Sequence, residues 1–196
     1  QRLLIDASEG DADAWRALVE QYSPRVFALM VRQCGDRELS EEITQDTFVK
    51  IVSKIGQYTE TGRFESWLFR IAMNRLRDEM RRRKRQARPM DMGPGSLGNS
   101  AGESAWAAAQ GQVIMRQPHQ PDNQLDALDK QEQLERLQEA VNQMTDADRE
   151  ILHLRHTAGL SFPQIAEALD QPLGTVLARG HRALGKLRKM LEEQEA

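Results

Sequence analysis

The stretch from Phe64 to Arg88, FESWLFRIAMNRLRDEMRRRKRQAR, constrains the fold most, because it reads as one helix with two unlike sides. Leu68, Ile71, Ala72 and Leu76 recur at helical spacing and bury one stripe, while Arg70, Asn74, Arg77 and Arg81 fall largely off it. Between Arg63 and Arg88 there are ten Lys/Arg and three Asp/Glu, an excess of +7 in a chain of net charge −3. A charge run by itself fits a solvated helix face as well as it fits a site for a polyanion. Tyr58, Phe64, Trp67 and Phe69 lie beside the charge and favour the second reading, since aromatic platforms next to cations hold unstacked bases.

The segment before it is helical and supplies a packing partner. Trp15, Leu18, Val19, Tyr22, Val26 and Met30 follow a helical stripe that Pro24 is expected to kink or restart. Cys34 to Asp36 punctuates the chain, and Ser40 reads as an N-cap, with Glu41 and Glu42 in a first turn where the helix dipole favours anions. This helix is expected from Glu41 to Ile55, with Ile43, Val49, Val52 and Ile55 inside. Glu42, Gln45 and Asp46 lie toward its outside and Phe48 near the margin; such a polar patch ordinarily serves solubility alone. Residues 56–66, GQYTETGRFES, read as a loop that delivers the aromatics into the basic helix.

After Arg88 the composition changes. Pro89 to Gln124 holds four Pro, five Gly and three Ser, which favours a long flexible linker, with Trp106 and Val113 to Met115 as short segments able to dock. The last third is helical again. Leu125, Leu128, Leu134, Leu137, Val141 and Met144 support one helix, and Thr145 caps the next, which carries Ile151, Leu152 and Leu154. Ser161 and Gln164 have capping-box spacing, and Asp170 to Pro172 break the helix they start. Another helix begins near Leu173, with Val176, Ala183, Leu184 and Leu187 inward, and from Leu173 to Leu191 it carries five Lys/Arg and no acid. Two short helices around a tight break, the second basic, make a helix-turn-helix.

Three segments in this order resemble the bacterial RNA polymerase sigma factors of the sigma-70 family, in their small two-domain extracytoplasmic-function form. They are EEITQDTFVKI at Glu41 to Ile51, FESWLFRIAMNRLRDEMRRRKR at Phe64 to Arg85, and SFPQIAEALDQPLGTVLARGHRALGKLR at Ser161 to Arg188. The resemblance implies an all-α chain with an N-terminal helical bundle over residues 1–88, a linker over 89–124 and a helix-turn-helix domain over 125–196. It implies docking of Glu42, Gln45, Asp46 and Phe48 on the β′ clamp helices of core RNA polymerase. It assigns Tyr58, Phe64, Trp67, Arg70, Asn74, Arg77 and Arg81 to the minus-ten element of promoter DNA, with Asn74 reading a flipped base. Thr175, Leu177, Arg179, Arg182 and Lys186 fall to the minus-thirty-five element, the same domain resting on the β flap. An anti-sigma factor or another regulator is an expected partner.

The chain departs from the family pattern at a few positions. Family members usually carry Lys and Ser where Leu177 and Ala178 stand and Gly where Asp170 stands, and Gly180 inside the recognition helix costs it about 1 kcal/mol relative to Ala. A conventional helix-turn-helix repressor or activator, binding duplex DNA alone, is the alternative reading of the C-terminal segment. An enzyme has little to stand on: His119, His153, His156 and His181 form no triad, and there is no phosphate-binding glycine loop. His153 and His156 share a helix face at i, i+3, a spacing that ordinarily marks a surface pair. One cysteine, Cys34, excludes an intramolecular disulfide, and the sequence calls for no metal and no cofactor. No apolar run approaches the ~20 residues of a membrane span, so a cytoplasmic chain without membrane insertion is expected. Limited trypsin digestion should cut first between Pro89 and Gln124 and leave two resistant helical fragments; first cuts inside Glu41 to Ile55 or Ser161 to Leu187 would break this division.

Overall fold

Two aspartates start the long helices of the N-terminal half. The Asp11 carboxylate accepts from the Ala14 backbone N–H at 2.7 Å, and Asp36 accepts from that of Leu39 at 3.0 Å. The computed structural model describes residues 2–58, 62–86 and 124–195, and among them the only regular structure is helical. Helix α1 is Arg2–Ser8, α2 Ala12–Cys34, α3 Arg37–Lys54 and α4 Phe64–Gln86, with a 3₁₀ turn at Ile55–Gln57 after α3. Then follow α5 (Gln124–Asn142), α6 (Asp146–His156), α7 (Phe162–Leu169) and α8 (Leu173–Glu195). The linker expected over 89–124, with Trp106 and Val113 to Met115, lies outside the described residues except at Gln124, which opens α5.

Pro24 neither breaks nor restarts α2, which runs through it to a Gly35 cap in the left-handed region (φ 67°). Ser40 is not a cap. Asp36 begins α3 four residues earlier, and the Ser40 hydroxyl donates back to the Asp36 carbonyl at 2.6 Å inside the core. The inner face of α3 is Leu39, Ser40, Ile43, Thr44, Thr47 and Ile51, whereas Val49 and Val52 are 69% and 55% exposed. Threonine can occupy that face because Thr44 and Thr47 donate their hydroxyls to the carbonyls of Ser40 and Ile43, both at 2.7 Å. Leu134, Leu137 and Leu184 are likewise exposed, so the inward stripes of α5 and α8 are narrower than their leucines suggest.

The C-terminal signals hold in detail. Thr145 caps α6 at Asp148, and Ser161 with Gln164 closes a complete capping box on α7. Asp170 takes the left-handed turn (φ 54°), a conformation that aspartate tolerates better than most residues. Gly180 has a packing reason: a Cβ there would come within 2.7 Å of the Phe162 ring, so the helical cost of glycine is the condition for α8 to lie against α7. The apolar core runs unbroken from Leu18, Ile43, Leu68 and Phe69 to Ile151, Leu154, Ile165 and Leu169, joining the two ends of the chain.

His153 is not half of a surface pair. It is buried on α6 while His156 is exposed, and the Nδ1 of His153 has no hydrogen-bond partner among the described residues. Burial first, then the charges of Arg32 and Arg149, push its pKa down from 6.5 to about 3. His153 is therefore neutral in the fold and takes a proton only on unfolding. Stability should be flat above pH 6.5 and fall by about 1.4 kcal/mol per pH unit as the pH drops from there toward 3. The carboxylates of Glu79, Asp36 and Asp148 are held below their ordinary values of 4.5, 3.8 and 3.8, so their contributions begin to be lost as the pH falls through those values and steepen the decline there. Urea titrations between pH 6.5 and about 5, above the carboxylate range, should show the slope in the wild type and lose it in His153→Gln.

Candidate nucleic-acid interface

Helix α4 buries Leu68, Phe69, Ala72, Met73 and Leu76 and turns Arg70, Asn74, Arg77 and Arg81 the other way. Steps of four, three and four residues put these last four in one column, with Asn74 exposed and its side-chain oxygen accepting from Arg77 at 3.3 Å. At the N-terminal end of the column the rings of Tyr58 and Trp67 stack, with centroids 4.8 Å apart and planes 21° from parallel. Phe64 is not on this surface. It is 5% exposed and lies beneath the pair, edge-on to Tyr58 at 5.9 Å and to Tyr22 at 5.4 Å, so its part is support. Phe69 is wholly buried. Tyr58, Trp67, Arg63 and Arg70 line a recess of about 310 Å³ closed on its far side by Glu167 and Asp170.

The basic tract is divided by one residue. Glu79 has a side chain only 1% exposed and accepts from Arg82 on both oxygens at 2.8 Å and from Arg83 at 3.3 Å, with Arg75 3.5 Å away. Hydrogen bonding to Arg82 above all, then to Arg83, holds its carboxyl below the ordinary range against the effect of burial. Arg83 continues to Asp36, the cap of α3, at 2.8 Å, and Arg75 to Asp46 at 2.7 Å and Glu42 at 3.1 Å. Three arginines are thus paired with acids of the fold, Arg75 half-buried and Arg82 and Arg83 exposed, while Arg63, Arg70, Arg81, Lys84 and Arg85 are also exposed and Arg77 is half-buried. Two of the acids assigned to polymerase, Glu42 and Asp46, are in this network; Gln45 and Val49 are exposed next to them, and Phe48 is half-buried against the core.

On α8, Thr175 and Arg182 are exposed, and Leu177 and Arg179 are half-buried. Arg179 donates to the Gln171 side chain at 2.9 Å, and exposed Arg182 to the Ala178 carbonyl at 3.3 Å, a contact it can leave at small cost. Lys186 is engaged more firmly, donating at 2.6 Å to Asp148, whose side chain is 10% exposed. Burial works to raise the Asp148 pKa, but the bonds from Lys186 and Thr145 leave it lowered.

A profile of Sigma-70 region 2 matches residues 18–86, the span of the α4 column and the α3 patch, and one of Sigma-70, region 4 matches 134–187, the span of the helix-turn-helix. A sigma factor, SigK of Mycolicibacterium vanbaalenii, is 30% identical over 96% of this chain and 87% of its own length. The chain belongs to the extracytoplasmic-function RNA polymerase sigma factors. SigW of Bacillus subtilis is 26% identical over 98% of this sigma factor and 97% of its own length. Among solved structures, CnrH in complex with the cytosolic domain of CnrY shares the fold, with a TM-score of 0.64 at 20% identity over 97% of this chain and 96% of that one. RpoE of Bartonella quintana, solved with the anti-sigma factor NepR, gives a TM-score of 0.65 at 21% identity over 90% and 96%.

Sequence reasoning brought the α4 column together and missed the groups that organise it. Arg75 and Glu79 looked like two more charges in a basic run; their spacing of four residues was the available signal. Replacing a buried carboxylate that neutralises several cations costs more than any exposed ion pair. Glu79→Gln should lower the unfolding free energy by about 2 kcal/mol, discounted because the arginines reach solvent, with its helical circular dichroism unchanged. A urea midpoint equal to the wild type's would show that the cluster organises nothing.

Proposed function

We propose that this sigma factor divides its work as its two ends divide the residues. Residues 1–88 bind core polymerase and open the minus-ten element, 89–124 link, and 125–196 read the minus-thirty-five element. The observation that carries this reading is the joining of a stacked ring pair, Tyr58 and Trp67, to the column Arg70, Asn74, Arg77 and Arg81 on one surface of α4. Stacked aromatics accept an unpaired base, the arginines meet the strand's phosphates, and the Asn74 amide offers both donor and acceptor to a base edge. Exposed Gln45 and Val49, beside Glu42, Asp46 and the half-buried Phe48, form the face offered to the β′ clamp helices, where polar groups surround an apolar centre.

The recognition helix binds DNA chiefly through Arg179 and Arg182, with Thr175 and Leu177 nearest the bases and Lys186 in reserve behind its bond to Asp148. Leu177 offers a base only an apolar contact, such as one to a thymine methyl. Cofactor, metal and active site have no part in this work. The protein acts in the cytoplasm, where polymerase is, and no helix among the described residues is long and apolar enough to cross a membrane. RpoE of Bartonella quintana, solved with the anti-sigma factor NepR, makes such a regulator the partner to look for here.

The test uses reconstituted holoenzyme. Asn74→Ala should retain core polymerase yet lower open-complex formation at a cognate promoter and flatten the penalty for minus-ten substitutions, in line with about 1 to 3 kcal/mol per base contact. Gln45→Ala with Asp46→Ala should do the reverse, weakening retention on immobilised core about tenfold. Wild-type permanganate footprints and selectivity in Asn74→Ala would remove Asn74 from the interface.

A further inference from the structure

The five cations of α8 are not held alike. Arg182 reaches only the Ala178 carbonyl of its own helix, at 3.3 Å, and stays exposed. Arg188 and Lys189 pair with Glu192 and Glu193 one turn on, at 2.7 and 3.6 Å, where every partner is more than half exposed. Such pairs yield to a competing anion at little cost. Arg179 donates to the Gln171 amide oxygen at 2.9 Å, a neutral partner from the turn that fixes its direction and leaves its charge uncompensated. Lys186 differs from the other four. Its Nζ donates at 2.6 Å to a carboxylate, Asp148, whose side chain is only 10% exposed.

The packing of α6 on α8 places that carboxylate. Asp148 and Leu152 are buried one turn apart on α6, and Leu152 packs with Met144 and Ala183 and against Leu187. Lys186, three residues after Ala183, reaches Asp148 with half of its own side chain still in water. Arg179 lies near enough for its charge to favour the ionised carboxylate as well. An acid in this position needs its cation. Moving Lys186 to a DNA phosphate would leave Asp148 buried and unpaired, a far larger loss than opening an exposed pair.

We propose that Asp148 sets how much charge the helix-turn-helix can present to DNA: it withholds Lys186 from the phosphates and leaves the backbone contacts to Arg179 and Arg182. This rests on the reading of α8 as the minus-thirty-five helix and adds a positioning residue from α6 that acts through Lys186. Phosphate contacts carry no sequence information. Withholding one therefore weakens binding to every duplex by the same factor and leaves the preference among bases unchanged. Asp148 thus limits non-specific retention of the domain on DNA without altering which element it selects.

The test is a salt titration of fluorescence anisotropy with the full chain and a short labelled DNA duplex of mixed sequence. Asp148→Asn keeps the shape of the side chain and removes its charge, which frees Lys186. The log–log slope should steepen by about 0.9, and binding at about 0.1 M salt should tighten roughly fivefold to tenfold, converging on the wild type near about 1 M. Asp148→Asn/Lys186→Ala should lose both changes. Glu139→Gln, on the exposed side of α5, controls for net charge, and circular dichroism confirms the helical content of each variant. Arg182→Ala tests the underlying reading and should weaken binding and flatten the slope by about 0.9. If it does so while Asp148→Asn binds no more tightly than wild type, Asp148 merely pins α8 to α6, and the proposal is overturned with the DNA reading of α8 intact. If neither substitution changes binding, that reading falls and the proposal with it. A gain that survives in Asp148→Asn/Lys186→Ala, or that Glu139→Gln matches, would assign the effect to net charge and overturn the proposal too.

Discussion

A carboxylate with almost no access to water must be neutralised where it sits, and in this sigma factor Glu79 is neutralised by Arg75, Arg82 and Arg83 of its own helix. That requirement sorts the basic tract. Arg75, Arg82 and Arg83 are turned toward Glu79, and two of them go on to acids of α3 and its cap, so the cluster also sets how α3 lies against α4. The column of Arg70, Asn74, Arg77 and Arg81 is what remains once that internal demand has been met. The same α3 acids belong to the proposed polymerase face, so the docking patch and the DNA helix share one set of charges. A change at Arg75 would be felt on both.

The core follows the same logic of satisfaction before placement. Ser40, Thr44 and Thr47 sit inside because each hydroxyl has a carbonyl of its own helix, which leaves Val49 and Val52 outside on a face that polymerase is proposed to cover. His153 is the exception. It is buried without a partner for Nδ1 among the described residues and next to two arginines, so it stays neutral and makes acid a specific stress on the C-terminal half. Gly180 shows the opposite economy, giving up local helix stability so that Phe162 can come close.

Both ends of the chain meet through ion pairs that are partly exposed, such as Arg63 with Glu167, and through an apolar core that is not. Exposed pairs are individually weak and are screened by salt within about 10 Å. These charge-sensitive contacts join Arg63 and Arg77 to α6 and α7, and the exposed Thr175 and Arg182 of α8 take no part in them.

Local chemistry was readable from residue order. The two-sided pattern of α4, the caps at Thr145 and Ser161, the turn at Asp170 and the helix-turn-helix itself each depend on neighbours within a few positions, and each is where the sequence places it. The start of α3 was misplaced from sequence: Ser40 reads as its cap, whereas Asp36 caps it and Ser40 is buried beside Cys34. Which arginines face outward, why His153 is neutral, why Lys186 is held by Asp148 and why Val49 is exposed depend on residues 29 to 47 positions away or on a neighbouring helix. Sequence determined the helices, their ends and the sign of their charge. The tertiary structure alone decided how that charge is used, because the desolvation that makes an ion pair obligatory exists only after the helices have packed.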